Sequence, residues 1–181
     1  MNPSPNLFLI GPSGAGKTSI GRRLAEHYAL PFVDLDGEIE NHTGVDIATI
    51  FDIEGEAGFR QRESERLDTL SRGRGVVMAT GAGAILDATN REHLAARGFV
   101  LWLDASLEQQ LERLAQARNR PLLDGVDRRR RFTDMATIRT PLYRATADRR
   151  LEGHSEPVGH ATARAIDALT GIWTIPHSHA T

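Results

Sequence analysis

The sequence predicts a three-layer α/β protein: a parallel sheet covered by helices on both faces. Three observations carry this. Short apolar runs alternate with helix-periodic segments along the chain, the pattern of right-handed βαβ units. The first apolar run ends in a glycine-rich turn that opens a helix, a strand–turn–helix junction. The length of 181 residues, with 40% hydrophobic and 25% charged side chains, suits one domain, 1–181, with one core.

Taken in order, Asn6–Ile10 is apolar and ends at Gly11, as a buried parallel strand does. A helix follows from Lys17 to about Ala29, with Ile20, Leu24 and Tyr28 on one face. Pro31–Asp36 reads as a second strand, and Glu56 to about Ser71 as a polar helix. Gly75–Ala79 and Phe99–Leu103 are further strands, with a helix over Asn90–Arg97 between them. Ser106 is placed to cap a helix that runs to about Ala117, with Leu107, Leu111 and Leu114 inward. Two more helices are expected over Phe132–Ala147 and Pro157–Leu169, and the tail from about 173 to 181 is expected to pack loosely.

Composition narrows the function classes. A net charge of −2 gives no general attraction to nucleic acid or anionic membranes. The absence of cysteine excludes disulfides and thiol chemistry. No apolar run approaches the roughly 18 residues of a membrane span. Met1–Pro5 lacks a basic region followed by an apolar one, so no signal peptide is expected. A cytoplasmic enzyme fits these features, as many other soluble proteins would. Of 22 basic residues, Lys17 is the one lysine. It falls where a phosphate-binding loop needs a compact ammonium on a flexible stem.

That loop is Gly11-Pro12-Ser13-Gly14-Ala15-Gly16-Lys17-Thr18, a complete G-x-x-x-x-G-K-[ST] between strand and helix, which makes the chain a P-loop NTPase fold. Glycines let backbone N–H groups turn onto phosphate oxygens, and the helix N-terminus adds its positive dipole end. Lys17 is expected to reach the β/γ-phosphates of ATP, and the Thr18 hydroxyl to ligate Mg²⁺.

Four further segments carry chemistry under one reading and only structure under another. Asp34 and Asp36, two apart on the expected strand, either hold a metal through water and orient a hydroxyl, or cap the next helix. Arg60 and Glu63, at helical i,i+3 spacing, either present a fixed guanidinium to a carboxylate or form a solvated ion pair. Thr80-Gly81-Ala82-Gly83 either exposes backbone donors or is a plain turn. The arginine-rich stretch containing Arg118, Arg120 and Arg128–Arg131 is either a lid bringing cations to a transferring phosphoryl group or a solvated charge run. Arg139 precedes Pro141 in a helical stretch that the proline is expected to break.

Together, GPSGAGKTSIGRRLA, FVDLD, FDIEGEAGFRQRE, VMATGAG, RNRPLL and RTPLY resemble the shikimate kinases, from Leu7 to about Asp148. The resemblance implies a five-stranded parallel sheet with a lid at about 112–128, similar to the nucleoside monophosphate kinases. It implies ATP-dependent, Mg²⁺-requiring phosphorylation of the 3-hydroxyl of shikimate. By the same resemblance Gly14, Ala15, Gly16, Lys17, Thr18 and Ser19 cradle the phosphates, with Thr18 on the metal and Asp34 on it through water. Asp36 binds the substrate hydroxyls and serves as, or positions, the base. Arg60 and Arg139 grip the carboxylate, Gly81, Ala82 and Gly83 donate backbone hydrogen bonds, and Arg120 reaches ATP from the lid. No nucleic acid or membrane partner is implied, and a monomer is expected.

Three features depart from the family pattern: Ala82 replaces a glycine, Arg144 follows Tyr143 where acidic residues are usual, and the expected last strand, Arg149–Gly153, is weakly apolar. Ala82 adds a methyl beside the acceptor pocket, with backbone strain only if its φ is positive. Ala82→Gly is therefore expected to lower the Michaelis constant for shikimate, and Gly83→Ala to raise it. Two other readings stand beside this one: a kinase for a gluconate-like acceptor, which should lack the Arg60/Arg139 pair, and a nucleotide-binding homologue without kinase activity.

Overall fold

The structure, a computed structural model, describes residues 4–114 and 127–174. Their elements follow the order β1 (Leu7–Ile10), α1 (Lys17–His27), β2 (Phe32–Asp34), α2 (Leu35–Thr43), α3 (Ile47–Ser71), β3 (Val77–Ala79), a 3₁₀ turn (Ala84–Leu86), α4 (Ala88–Arg97), β4 (Phe99–Leu103), α5 (Leu107–Leu114), α6 (Arg128–Thr146), β5 (Arg149–Leu151) and α7 (Val158–Leu169). The strands form one parallel sheet in the order β2-β3-β1-β4-β5.

Alternation along the strands builds the three layers. Leu7 and Leu9 of β1 join the apolar layer that includes Leu24 of α1 and Ala165 and Leu169 of α7. Phe8 and Ile10 face the other way, into the layer that includes Ile39 of α2, Leu67 of α3 and Leu94 of α4. At the N-terminal end of the sheet, buried Asn6 donates from Nδ2 to the carbonyls of Gly73 (2.8 Å) and Arg97 (3.1 Å) and accepts from the Val76 amide (3.2 Å). The C-terminal ends of β1, β2 and β3 therefore share one edge, and from them leave the P-loop, the Asp34–Asp36 segment and the Thr80–Gly83 turn.

Several elements differ from the sequence expectation. β2 stops at Asp34, which caps α2 by accepting from the Gly37 amide (3.4 Å). Asp36 is thus in the first turn of a helix, not on a strand beside Asp34. α3 begins at Ile47, with Asp46 as its cap (Thr49 N to Oδ1, 2.8 Å): the expected helix from Glu56 to Ser71 is its second part, and the part before the kink at Gly55 is what the sequence did not announce. Pro141 does not break α6, which runs through it. Both Pro141 and Thr137, whose carbonyl the proline cannot serve, lie on the exposed face, where that carbonyl is open to solvent rather than stranded in the core. β5 ends at Leu151, and its weakly apolar composition fits its place at the sheet edge, with Arg149 and Arg150 exposed.

Ser106 and Gln109 form a reciprocal cap at the start of α5, Ser106 N to Gln109 Oε1 at 2.9 Å and Gln109 N to Ser106 Oγ at 3.2 Å. Trp173 is not loosely packed: it is buried, meets Tyr28 edge to face at 4.9 Å and donates from Nε1 to the Ser4 carbonyl at 3.0 Å. The expected tail beyond residue 174, the end of the 106–117 helix, and most of the expected 112–128 lid, with Arg118 and Arg120, lie outside the described residues.

Candidate active site

The P-loop turns because Gly11, Gly14 and Gly16 all take positive φ (143°, 81° and 90°), conformations side chains resist. Gly16 is the N-cap of α1, and no side chain caps that helix end, which leaves the first-turn amides to a ligand. Lys17 Nζ donates to the carbonyls of Gly11 (2.7 Å) and Pro12 (2.9 Å), so its ammonium lies over the loop. Thr18 Oγ1 donates to Asp34 Oδ2 at 2.6 Å. Hydroxyl and carboxylate are the hard oxygen donors Mg²⁺ takes, and the pair fits such an ion. Among the described residues no group of three or more His, Asp or Glu gathers to cage a metal, so water and phosphate would complete its shell.

Two cavities flank the loop. The first, of about 190 Å³, is lined by Ser13 of the P-loop, Asp36, Arg60, Glu63, the whole Gly81–Gly83 turn and Arg139. Apolar walls come from Ile47, Phe51 and Phe59 of α3 and from Phe132 and Met135 of α6. The structure thus brings every expected acceptor-side residue to one cavity. The second cavity, of about 210 Å³, is lined by Ala15, Gly16 and Ser19 on one side and by the Gly153–Glu156 segment on the other.

Two cations stand at the first cavity. Arg60 is held by Glu63, which accepts from Nη1 and is itself only 1% exposed. Burial pushes the Glu63 carboxyl up to about 7, against the pull of Arg60. Glu63 Oε1 makes no hydrogen bond among the described residues. Arg139, 9% exposed, projects from α6 one turn before Tyr143, and burial lowers its pKa below the ordinary arginine range. The Tyr143 hydroxyl, pushed up by burial, donates to the Ala82 carbonyl at 2.7 Å, pinning the glycine turn to α6.

The turn needs glycine for space, not for φ. Neither Gly81, Ala82 nor Gly83 has positive φ, so Ala82 carries no left-handed strain. A Cβ at Gly81 would lie 2.9 Å from Asp36 Oδ1 and overlap the Glu63 carboxylate, and one at Gly83 would fall on the Arg60 guanidinium. At position 82 the alanine is accommodated.

Sequence reasoning missed three contributions. Arg113 of α5 donates to the carbonyls of Gly14 (2.8 Å) and His154 (3.1 Å), joining the P-loop to the far wall of the second cavity. Tyr143, read only as part of a motif, is the link to Ala82. Phe132 and Met135 wall the first cavity from a helix expected to start at Phe132. An Arg at helical spacing behind a capping box carries no signal of its own, and the partners of Arg113 are distant in sequence.

Known proteins resemble this chain over most of its length. The family model described as shikimate kinase matches residues 13–170. A shikimate kinase of Stenotrophomonas maltophilia (strain K279a) is 50% identical over 173 residues, covering 96% of each chain, and one of Xanthomonas axonopodis pv. citri (strain 306) is 49% identical over the same length and shares. Among solved structures, a shikimate kinase from Acinetobacter baumannii in complex with shikimate superposes with a TM-score of 0.88 at 43% identity, covering 91% of this chain and 92% of that one. With a family match over most of its length and relatives at half identity, the chain belongs to the shikimate kinase family.

Proposed function

We propose that this chain, acting as a single kinase domain, transfers the γ-phosphoryl group of ATP to the 3-hydroxyl of shikimate, giving shikimate 3-phosphate and ADP. The observation that carries this reading is the first cavity: two buried or half-buried arginines and a carboxylate face one space that also touches the P-loop. Arg60 and Arg139 suit the acceptor carboxylate, Asp36 suits its hydroxyls, and Gly81, Ala82 and Gly83 offer backbone donors. Gly14, Ala15, Gly16, Lys17, Thr18 and Ser19 suit the phosphates of ATP, and the second cavity, with Arg113 and His154 on its rim, suits the base.

In this reading the acceptor oxygen forms the new O–P bond as the bond from γ-phosphorus to the bridging oxygen breaks. Asp36 takes or directs the hydroxyl proton, and Lys17 meets the charge on the β/γ-phosphates. Arg120 is assigned to ATP from the lid. Mg²⁺, held by Thr18 directly and Asp34 through water, would neutralise phosphate charge. The test is ADP release with ATP and Mg²⁺, shikimate beside gluconate. Turnover with shikimate is expected. Turnover with gluconate alone would transfer the reading to another acceptor, and turnover with neither would leave a nucleotide-binding protein.

A further inference from the structure

We propose that Glu54 and Arg62 are positioning residues for the acceptor: their ion pair spans a glycine hinge in α3 and fixes the angle between two walls of the acceptor cavity. The proposal rests on reading that cavity as the acceptor site.

The hinge is Gly55, whose φ of 71° and ψ of −176° divide α3 into two helices, up to Glu54 and from Glu56. A Cβ at Gly55 would meet nothing within 4 Å, so glycine serves there for its conformation and not for space. The first helix brings Ile47, Ala48 and Phe51 to the cavity, and the second brings Phe59, Arg60 and Glu63. The hinge therefore divides the cavity wall between its apolar side and the guanidinium side, and its angle sets how far apart they stand.

Arg62 holds that angle from outside. Its Nε donates to Glu54 Oε2 at 2.8 Å and its Nη2 to Glu54 Oε1 at 2.6 Å, a bidentate grip that fixes direction as well as distance. Each carboxyl and guanidinium shifts the other towards its charged form. Gly58 gives the grip its room, since a Cβ there would overlap Glu54 Cβ and lie 3.0 Å from Glu54 Oε2. Inside the bend, Phe51 and Phe59 meet with ring centroids 4.9 Å apart. The pair is 34–40% exposed, so it adds little to global stability. Its effect is on the population of one hinge angle, and that population scales acceptor affinity directly.

The test is Arg62→Gln. The Michaelis constant for shikimate should rise about three- to tenfold as the competent angle loses population, with kcat, the constant for ATP and the melting temperature unchanged. An unchanged shikimate constant, or all parameters worsening together, overturns the proposal. A second measurement needs no turnover. The chain has no cysteine, so Ile53→Cys on the first helix and Ile138→Cys on α6, at positions 76% and 62% exposed, accept nitroxide labels selectively. Double electron–electron resonance should show a broadened or shifted distance when Arg62→Gln is added, and an identical distribution overturns the proposal. Failure of the functional reading is distinct: the parent would then not turn over shikimate, and the distance measurement would still decide the hinge.

Discussion

At the residue scale the least ordinary group is Glu63. Its carboxyl, buried and raised to about 7 from an ordinary 4.5, binds a proton more tightly folded than unfolded. The folded state therefore gains stability from that proton below about pH 4.5 and loses it as pH rises through 7, a change on the order of 3 kcal/mol. Chemical denaturation across this window should show parent stability falling with pH relative to Glu63→Gln, and parallel curves would refute the assignment. Lys17→Ala should abolish turnover with an unchanged circular dichroism spectrum, and Lys17→Arg should fail too, because a planar fork does not fit the loop carbonyls. Gly83→Ala puts a methyl on the Arg60 guanidinium and should raise the Michaelis constant for shikimate well above the parent's. Ala82→Gly, at a position free of left-handed strain, should lower it modestly, through relief of crowding alone. The phosphate side of the site was legible because the P-loop motif announces its chemistry, whereas Arg60 and Arg139, far apart in sequence, were joined only by the family resemblance. The burial of Glu63 was not, because an i,i+3 ion pair looks the same in sequence whether wet or dry.

At the element scale, the strands and most helices follow from apolar periodicity, and the misses have physical causes. α2 contains Gly37 and ends at Gly44, and the first half of α3 is followed by Gly55 and Gly58, so glycine masks helical segments that packing and caps sustain. Asp34-Leu35-Asp36 alternates like a strand, yet Asp34 ends one element and caps the next, which local pattern cannot distinguish. Pro141 misled because a proline's cost depends on whether the carbonyl it strands is buried or wet. The link from α6 to the glycine turn gives a test at this scale. Tyr143→Phe leaves the half-buried Ala82 carbonyl without its donor and beside an apolar edge, and should destabilise the fold by about 1 kcal/mol, read as a lower denaturant midpoint with unchanged slope. An unchanged midpoint would show that the carbonyl finds another donor.

At the scale of the whole molecule, a parallel sheet delivers three loops to one edge, and the P-loop stands between two cavities of similar size. One side offers oxygen donors and amides to a nucleotide, and the other offers guanidinium groups to an acid with hydroxyls. This division of labour is the one the proposed function assigns to the two cavities. Its central claim is that Arg60 and Arg139 select the acceptor by its carboxylate. The most direct measurement compares kcat/KM for shikimate and for its methyl ester, in the parent and in the double variant Arg60→Ala, Arg139→Ala. Losing a buried charge-assisted clamp costs about 2–5 kcal/mol, so the parent should prefer the acid by roughly thirty- to several-thousand-fold, and the double variant should scarcely discriminate. A parent that phosphorylates acid and ester equally well would contradict the account.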